Sequence, residues 1–142
     1  MGIFDKLFGG KKEYSPLDPN DPIFEQLNGI RQPLEDLANQ TKDSLEVVTA
    51  DKSTYVFIGN PPKQFGIAWV QDGKVYNLKT LAAKEGLSPI KLQKTSEKLS
   101  EAYKRSEKDA RYSTQIGGCS LTVAASETLG KEVDHIIHTA SA

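Results

Sequence analysis

The chain predicts an α+β domain: a mostly antiparallel sheet of about five strands, two hairpins plus one strand, with helices packed on one face. Three observations predict it. Segments rich in β-branched and aromatic residues fold back on themselves across two-residue turns at Asp72-Gly73 and Gly117-Gly118. Other stretches repeat apolar residues at helical spacing, behind capping residues such as Asp21 and Ser88. At 142 residues the chain is also long enough to bury a core without metals or disulfides.

Residues 1–20 read as a flexible amphipathic head and tether. They join apolar and basic residues, then Gly9-Gly10-Lys11-Lys12, then a Pro/Asp/Ser stretch from Tyr14 to Asn20. Residues 21–142 read as a single α+β domain. Its first part, 21–50, is a helical segment: Asp21-Pro22 caps it, and Ile23, Leu27, Ile30, Leu34, Leu37 and Ala38 recur at helical spacing. Pro33 should break or restart that helix. Leu45–Thr49 fits either a last helical turn or a short strand.

Residues 51–142 form the strand, hairpin, helix, hairpin, helix module. Thr54–Gly59 is a strand. Phe65–Val70 and Lys74–Leu78 pair across Asp72-Gly73, opposing Val70 to Val75, Trp69 to Tyr76 and Ile67 to Leu78. Leu81–Lys84 is a short helix stopped by Gly86. The next helix starts at Ser88-Pro89 and buries a narrow stripe of Leu92, Leu99, Ala102 and Tyr103. The second hairpin pairs Ile116 with Cys119, Thr114 with Leu121 and Tyr112 with Val123. A last helix from about Ser126 lines Leu129, Val133, Ile136, Ile137 and Ala140 along one face.

Net charge is −1, so the whole molecule exerts no strong field on nucleic acid or anionic membranes. A single cysteine excludes an intrachain disulfide. No apolar run approaches a membrane span or a signal peptide, so the expectation is a soluble, cytoplasmic protein.

Val56–Asn60 resembles the first-strand hexapeptide of the RNA-recognition motif, and Lys63–Gly66 the start of that family's third-strand octapeptide. The family places a helix and a strand between these signatures, whereas only Pro61-Pro62 intervenes here. Gln64 also stands where glycine belongs, and Ile67 and Val70 replace aromatics. The segment therefore reads as two strands joined by a Pro-rich loop. The second choice for function keeps nucleic acid: bases stacking on Phe57 and Phe65 beside a basic helix over 88–111. In that helix Lys91, Lys94, Lys98, Lys104, Arg105, Lys108 and Arg111 alternate with Glu97, Glu101, Glu107 and Asp109, as a solvated face does, and Glu101–Arg105 is a stabilising pair.

Catalytic and metal signals are thin. His135 and His138 have the spacing of two metal ligands, but the apolar pattern points both away from the core and a stable zinc site needs three or four ligands. Cys119 reads as an apolar filler of its hairpin's inward face. Gly117-Gly118 is a turn rather than a phosphate loop, and the acidic pairs Glu35-Asp36 and Asp18/Asp21 sit in polar surroundings. The sequence thus predicts no enzyme, no metal and no cofactor.

Two interaction features remain. Asn60-Pro61-Pro62-Lys63 is a stiff interstrand loop able to present a binding surface. In the head, Ile3, Phe4, Leu7 and Phe8 share one helical face, with Lys6, Lys11 and Lys12 available to anionic headgroups at the inner face of a membrane. Burying those four side chains is worth ~6–12 kcal/mol at most. Ordering the segment costs roughly 1–2 kcal/mol per residue, so such an anchor is weak. Lys6 breaks the N-myristoylation pattern.

The chain also resembles small uncharacterised bacterial proteins, through its Met1–Gly10 head and its Tyr-Val-Phe-Ile-Gly…Phe-Gly-Ile-Ala-Trp segment, Tyr55 to Trp69. That resemblance implies no activity. The expectation is a small non-enzymatic binding or adaptor domain with an unidentified protein partner and weak anionic-membrane or partner contact through the head.

Overall fold

The computed structural model describes residues 14–140. The candidate anchor Ile3, Phe4, Leu7 and Phe8 lies outside them, as does the side chain of Cys119.

Helix α1 (Pro22–Asn28) starts as expected, with the Asp21 side chain accepting from Ile23 N and a proline in the first turn. Pro33 restarts rather than breaks the next helix. It is the third residue of α2 (Arg31–Thr41), where a missing N–H has no intrahelical acceptor to lose. Leu27, Leu34 and Leu37 are the buried residues of this pair.

Leu45–Thr49 is a strand, β1. It pairs antiparallel with β2 (Thr54–Asn60), with Val47 opposite Val56, and parallel with β6 (Cys119–Ala124), with Val47 opposite Val123. β3 (Gln64–Gln71) and β4 (Lys74–Asn77) form the first hairpin, with Trp69 opposite Tyr76 as the turn requires. β5 (Arg111–Ile116) and β6 form the second, again in the expected register. The sheet has six strands in the order β4-β3-β2-β1-β6-β5, one more than expected because β1 fills its centre.

The expected strand Lys74–Leu78 is one residue too long. Asn77, the last residue of β4, also caps α3 (Leu78–Glu85), accepting from Thr80 N while Thr80 Oγ1 accepts from Asn77 N. The basic helix is shorter than 88–111. α4 covers Pro89–Arg105, and Arg111 opens β5 instead. α5 (Glu127–Thr139) is capped by Ser126.

Helices cover both faces of the sheet, not one. Val48, Tyr55, Phe57, Ile67 and Trp69 pack against Leu99 and Tyr103 of α4 and Leu129, Val133, Ile136 and Ile137 of α5. The alternate residues Val47, Val56, Ala68, Leu121 and Val123 pack against Leu27, Leu34 and Leu37 of α1 and α2. Strands buried on both sides read as unbroken apolar runs, as β2 and β3 do, so their periodicity could not show the second layer.

The tether expectation fails over Tyr14–Leu17. Leu17 N donates to Ser113 O at 2.7 Å, and Ser113 N donates to Ser15 O at 2.9 Å. Leu17 itself is 5 % exposed in the second core. This strap runs parallel to β5 at the sheet edge and closes it. None of the helices among the described residues is long and apolar enough to cross a membrane.

Candidate functional site

On the α4/α5 face, one end of the sheet is polar. Strand alternation puts Glu46 of β1, Thr122 and Ser120 of β6, and Ser113 and Gln115 of β5 on the side that carries Val48 and Ala124. Ser113 pairs with Thr122, which also faces Glu46. The apolar helix stripes do not extend over this row. A cleft of about 670 Å³ remains, lined by Tyr14 of the strap, Glu46, Tyr103, Glu107, Thr122 and the turn Gly59–Pro61, among others.

Buried charge organises its floor. Tyr103 donates its hydroxyl hydrogen to Glu46 Oε1 at 2.7 Å, and Arg111 Nε donates to Glu46 Oε2 at 3.1 Å. The Arg111 guanidinium also donates to the carbonyls of Ser106 and Asp109 and to Ser106 Oγ. It lies 5.1 Å from the Tyr103 ring centroid. The ion pair is 5 % and 13 % exposed at its two side chains, so each charge needs the other. Burial, then the Glu46 carboxylate, pushes the Tyr103 hydroxyl well above the usual tyrosine range. The same two causes push up Tyr14.

The Asn60–Lys63 loop forms the opposite wall. Lys63 N donates to Asn60 O at 3.0 Å, and Ser100 Oγ of α4 donates to Pro62 O at 2.9 Å. Gly59, at φ +107, lets β2 turn into this loop, and a Cβ there would stand 3.0 Å from Gln64 O. Asn60 and Pro61 line the cleft, while Lys63 is exposed beyond it.

Other candidates scatter. Phe57 is 1 % exposed beneath α4, with its ring centroid 5.3 Å from Tyr103 and 5.5 Å from the half-buried Phe65. It presents no face to a base. Arg111 is consumed by Glu46, and Arg105 bonds to Glu132 of α5 rather than holding Glu101 alone. His135 and His138 are exposed, and His138 Nδ1 lies 3.4 Å from the Asp134 carboxylate. Among the described residues no group of three His, Cys, Asp or Glu side chains is placed to hold a metal ion.

Sequence reasoning missed Glu46, Tyr103, Arg111 and Tyr14. One signal existed: Glu46 interrupts the apolar run Leu45-Glu-Val-Val-Thr49, and a charge in a central strand requires a partner. The partner, 65 positions away, was invisible because Arg111 read as the end of a basic helix.

The fold and cleft define a six-stranded α+β domain with an open polar site at one end of its sheet. Comparison with family models, with curated proteins and with solved structures finds no match for the chain.

Proposed function

We propose that this protein is a small non-enzymatic binding or adaptor domain whose partner enters the cleft between the Asn60–Lys63 loop and the strap. One observation supports this most. Asn60 and Pro61 of the loop, Tyr14 of the strap, and Glu46, held from behind by Arg111, converge on a single concave surface. Rigid supports under polar side chains are what a recognition site needs, because little order is then lost on binding. The head is the weak membrane or partner attachment that holds this surface in place.

The test compares the full chain with a Ser44→Trp variant, which places a large ring at the exposed rim of the cleft. Proteins captured by the native chain and lost by the variant support the reading, and identical captured sets overturn it. The attachment is tested by co-sedimentation with anionic and neutral vesicles. The native chain is expected to pellet with anionic vesicles, and a Phe4→Glu/Leu7→Glu variant to remain in solution. If the native chain does not pellet, the membrane part of the reading is lost and the cleft stands alone.

A further inference from the structure

A second concavity lies at the opposite edge of the sheet, and its chemistry differs. Helix α3 is tied to β4 by its capping box, yet none of its residues is buried. Its apolar residues Leu78 and Leu81 only border the core. A helix laid on a sheet normally buries its apolar stripe, so α3, whose leucines are only partly buried, covers this edge incompletely. The gap between α3, β3, β4 and the end of α5 measures about 520 Å³. Small-molecule sites typically occupy roughly 300–1,000 Å³.

Aromatic side chains build one wall. Trp69 and Tyr76 oppose each other across the hairpin, with ring centroids 6.2 Å apart and planes inclined by 18°. Trp69 is 6 % exposed and anchored in the core, whereas Tyr76 is 37 % exposed. Trp69 therefore backs Tyr76, and the stacked pair forms a fixed shelf whose accessible ring is that of Tyr76. Leu81 and Ile137 supply further apolar lining, and Lys84 and Glu85 place a donor and an acceptor at the rim.

We propose that this cavity binds a small flat heteroaromatic molecule, about the size of a nucleobase, stacked on the Trp69–Tyr76 shelf and hydrogen-bonded at its edge to the rim. The shelf selects a planar ring, because offset stacking needs two flat faces. The rim selects ring heteroatoms over a plain hydrocarbon, since Lys84 donates and Glu85 accepts. Occupancy would fill the space beneath α3 and tighten that helix against the sheet. The site is independent of the polar cleft, which lies at the other end of the strand order.

Trp69 is the only tryptophan in the chain, so its fluorescence reports on this cavity directly. The full-length protein would be titrated with adenosine, caffeine and nicotinamide, with ribose as the non-aromatic control and free N-acetyl-tryptophanamide as the collisional control. Saturable quenching by at least one heteroaromatic probe, absent with ribose, is the expected result. Tyr76→Ala and Tyr76→Leu should each weaken it by roughly threefold to tenfold, the worth of one stacked ring, with unfolding midpoints close to the native one. Tyr76→Phe should retain it. Three outcomes overturn the proposal: quenching that rises linearly with every probe, saturable quenching untouched by both Tyr76 substitutions, or a signal that follows protein concentration alone. The last would make this edge a contact between copies of the chain.

Discussion

Tyr103 and Arg111 grip the two oxygens of one carboxylate, Glu46, at 2.7 and 3.1 Å. Helix α4, strand β5 and strand β1 are thereby joined at one polar point beneath the cleft. Glu46→Ala leaves the Arg111 charge buried without its partner, and such a loss costs about 3–5 kcal/mol. The unfolding free energy from urea denaturation is expected to fall by that amount. Replacing both charges, as Glu46→Leu with Arg111→Met, should recover much of it. Equal loss in the single and double variants would mean that packing, not charge, holds this corner.

Alkaline pH should destabilise the fold through tyrosines. Tyr103 donates to Glu46 and Tyr55 donates to Asp134 at 2.7 Å, and burial raises both hydroxyls well above the usual value. Below the unfolded tyrosine pKa of about 10, both states keep these protons and stability is flat with respect to them. Above it the unfolded chain releases protons that the folded chain retains, so stability falls as pH rises toward the folded values. Denaturant midpoints across this range should decline for the native chain and decline less for Tyr55→Phe/Tyr103→Phe.

Gly130 permits the closest approach of α5 to the sheet. A Cβ there would stand 2.2 Å from the Thr49 carbonyl oxygen of β1. Gly130→Ala gains about 1 kcal/mol of helix propensity. Displacing packed backbone costs more, typically 1–3 kcal/mol and occasionally beyond, so a lowered thermal midpoint is expected. A raised midpoint would show that α5 lifts freely from β1.

The strap should behave as part of the fold. The amides of Leu17 and Ser113 are expected to exchange slowly with deuterium, because each donates to the other strand. Leu17→Ala should cost ~2–5 kcal/mol, as a buried leucine does. Exchange of the Leu17 amide at the free-chain rate would restore the tether reading.

The failure at the strap is instructive. Tyr14-Ser-Pro-Leu-Asp-Pro-Asn20 has the composition of a linker, and composition describes what a segment does alone. Its order comes from Ser113, 96 positions beyond Leu17, whose free strand edge supplies the hydrogen bonds. The cleft was half legible for a similar reason. The Asn60–Lys63 loop stood out through its two prolines, a local signal, while Tyr14, Glu46, Tyr103 and Arg111 are unremarkable until the fold gathers them.

Local chemistry, meanwhile, specified much of the architecture. Asp72-Gly73 and Gly117-Gly118 set both hairpin registers, because a two-residue turn leaves only one pairing of its flanks. Asp21, Ser88 and Ser126 set three helix starts through side-chain caps. Each is an interaction within a few residues, and so can be read along the chain. Three matters needed the folded molecule: whether Leu45–Thr49 was helix or strand, which helices covered which face, and which charge met Glu46. A strand becomes a strand when partners supply its hydrogen bonds, and β1 takes them from β2 and from the distant β6. A buried carboxylate likewise persists only where a donor and a counter-charge arrive from elsewhere in the chain.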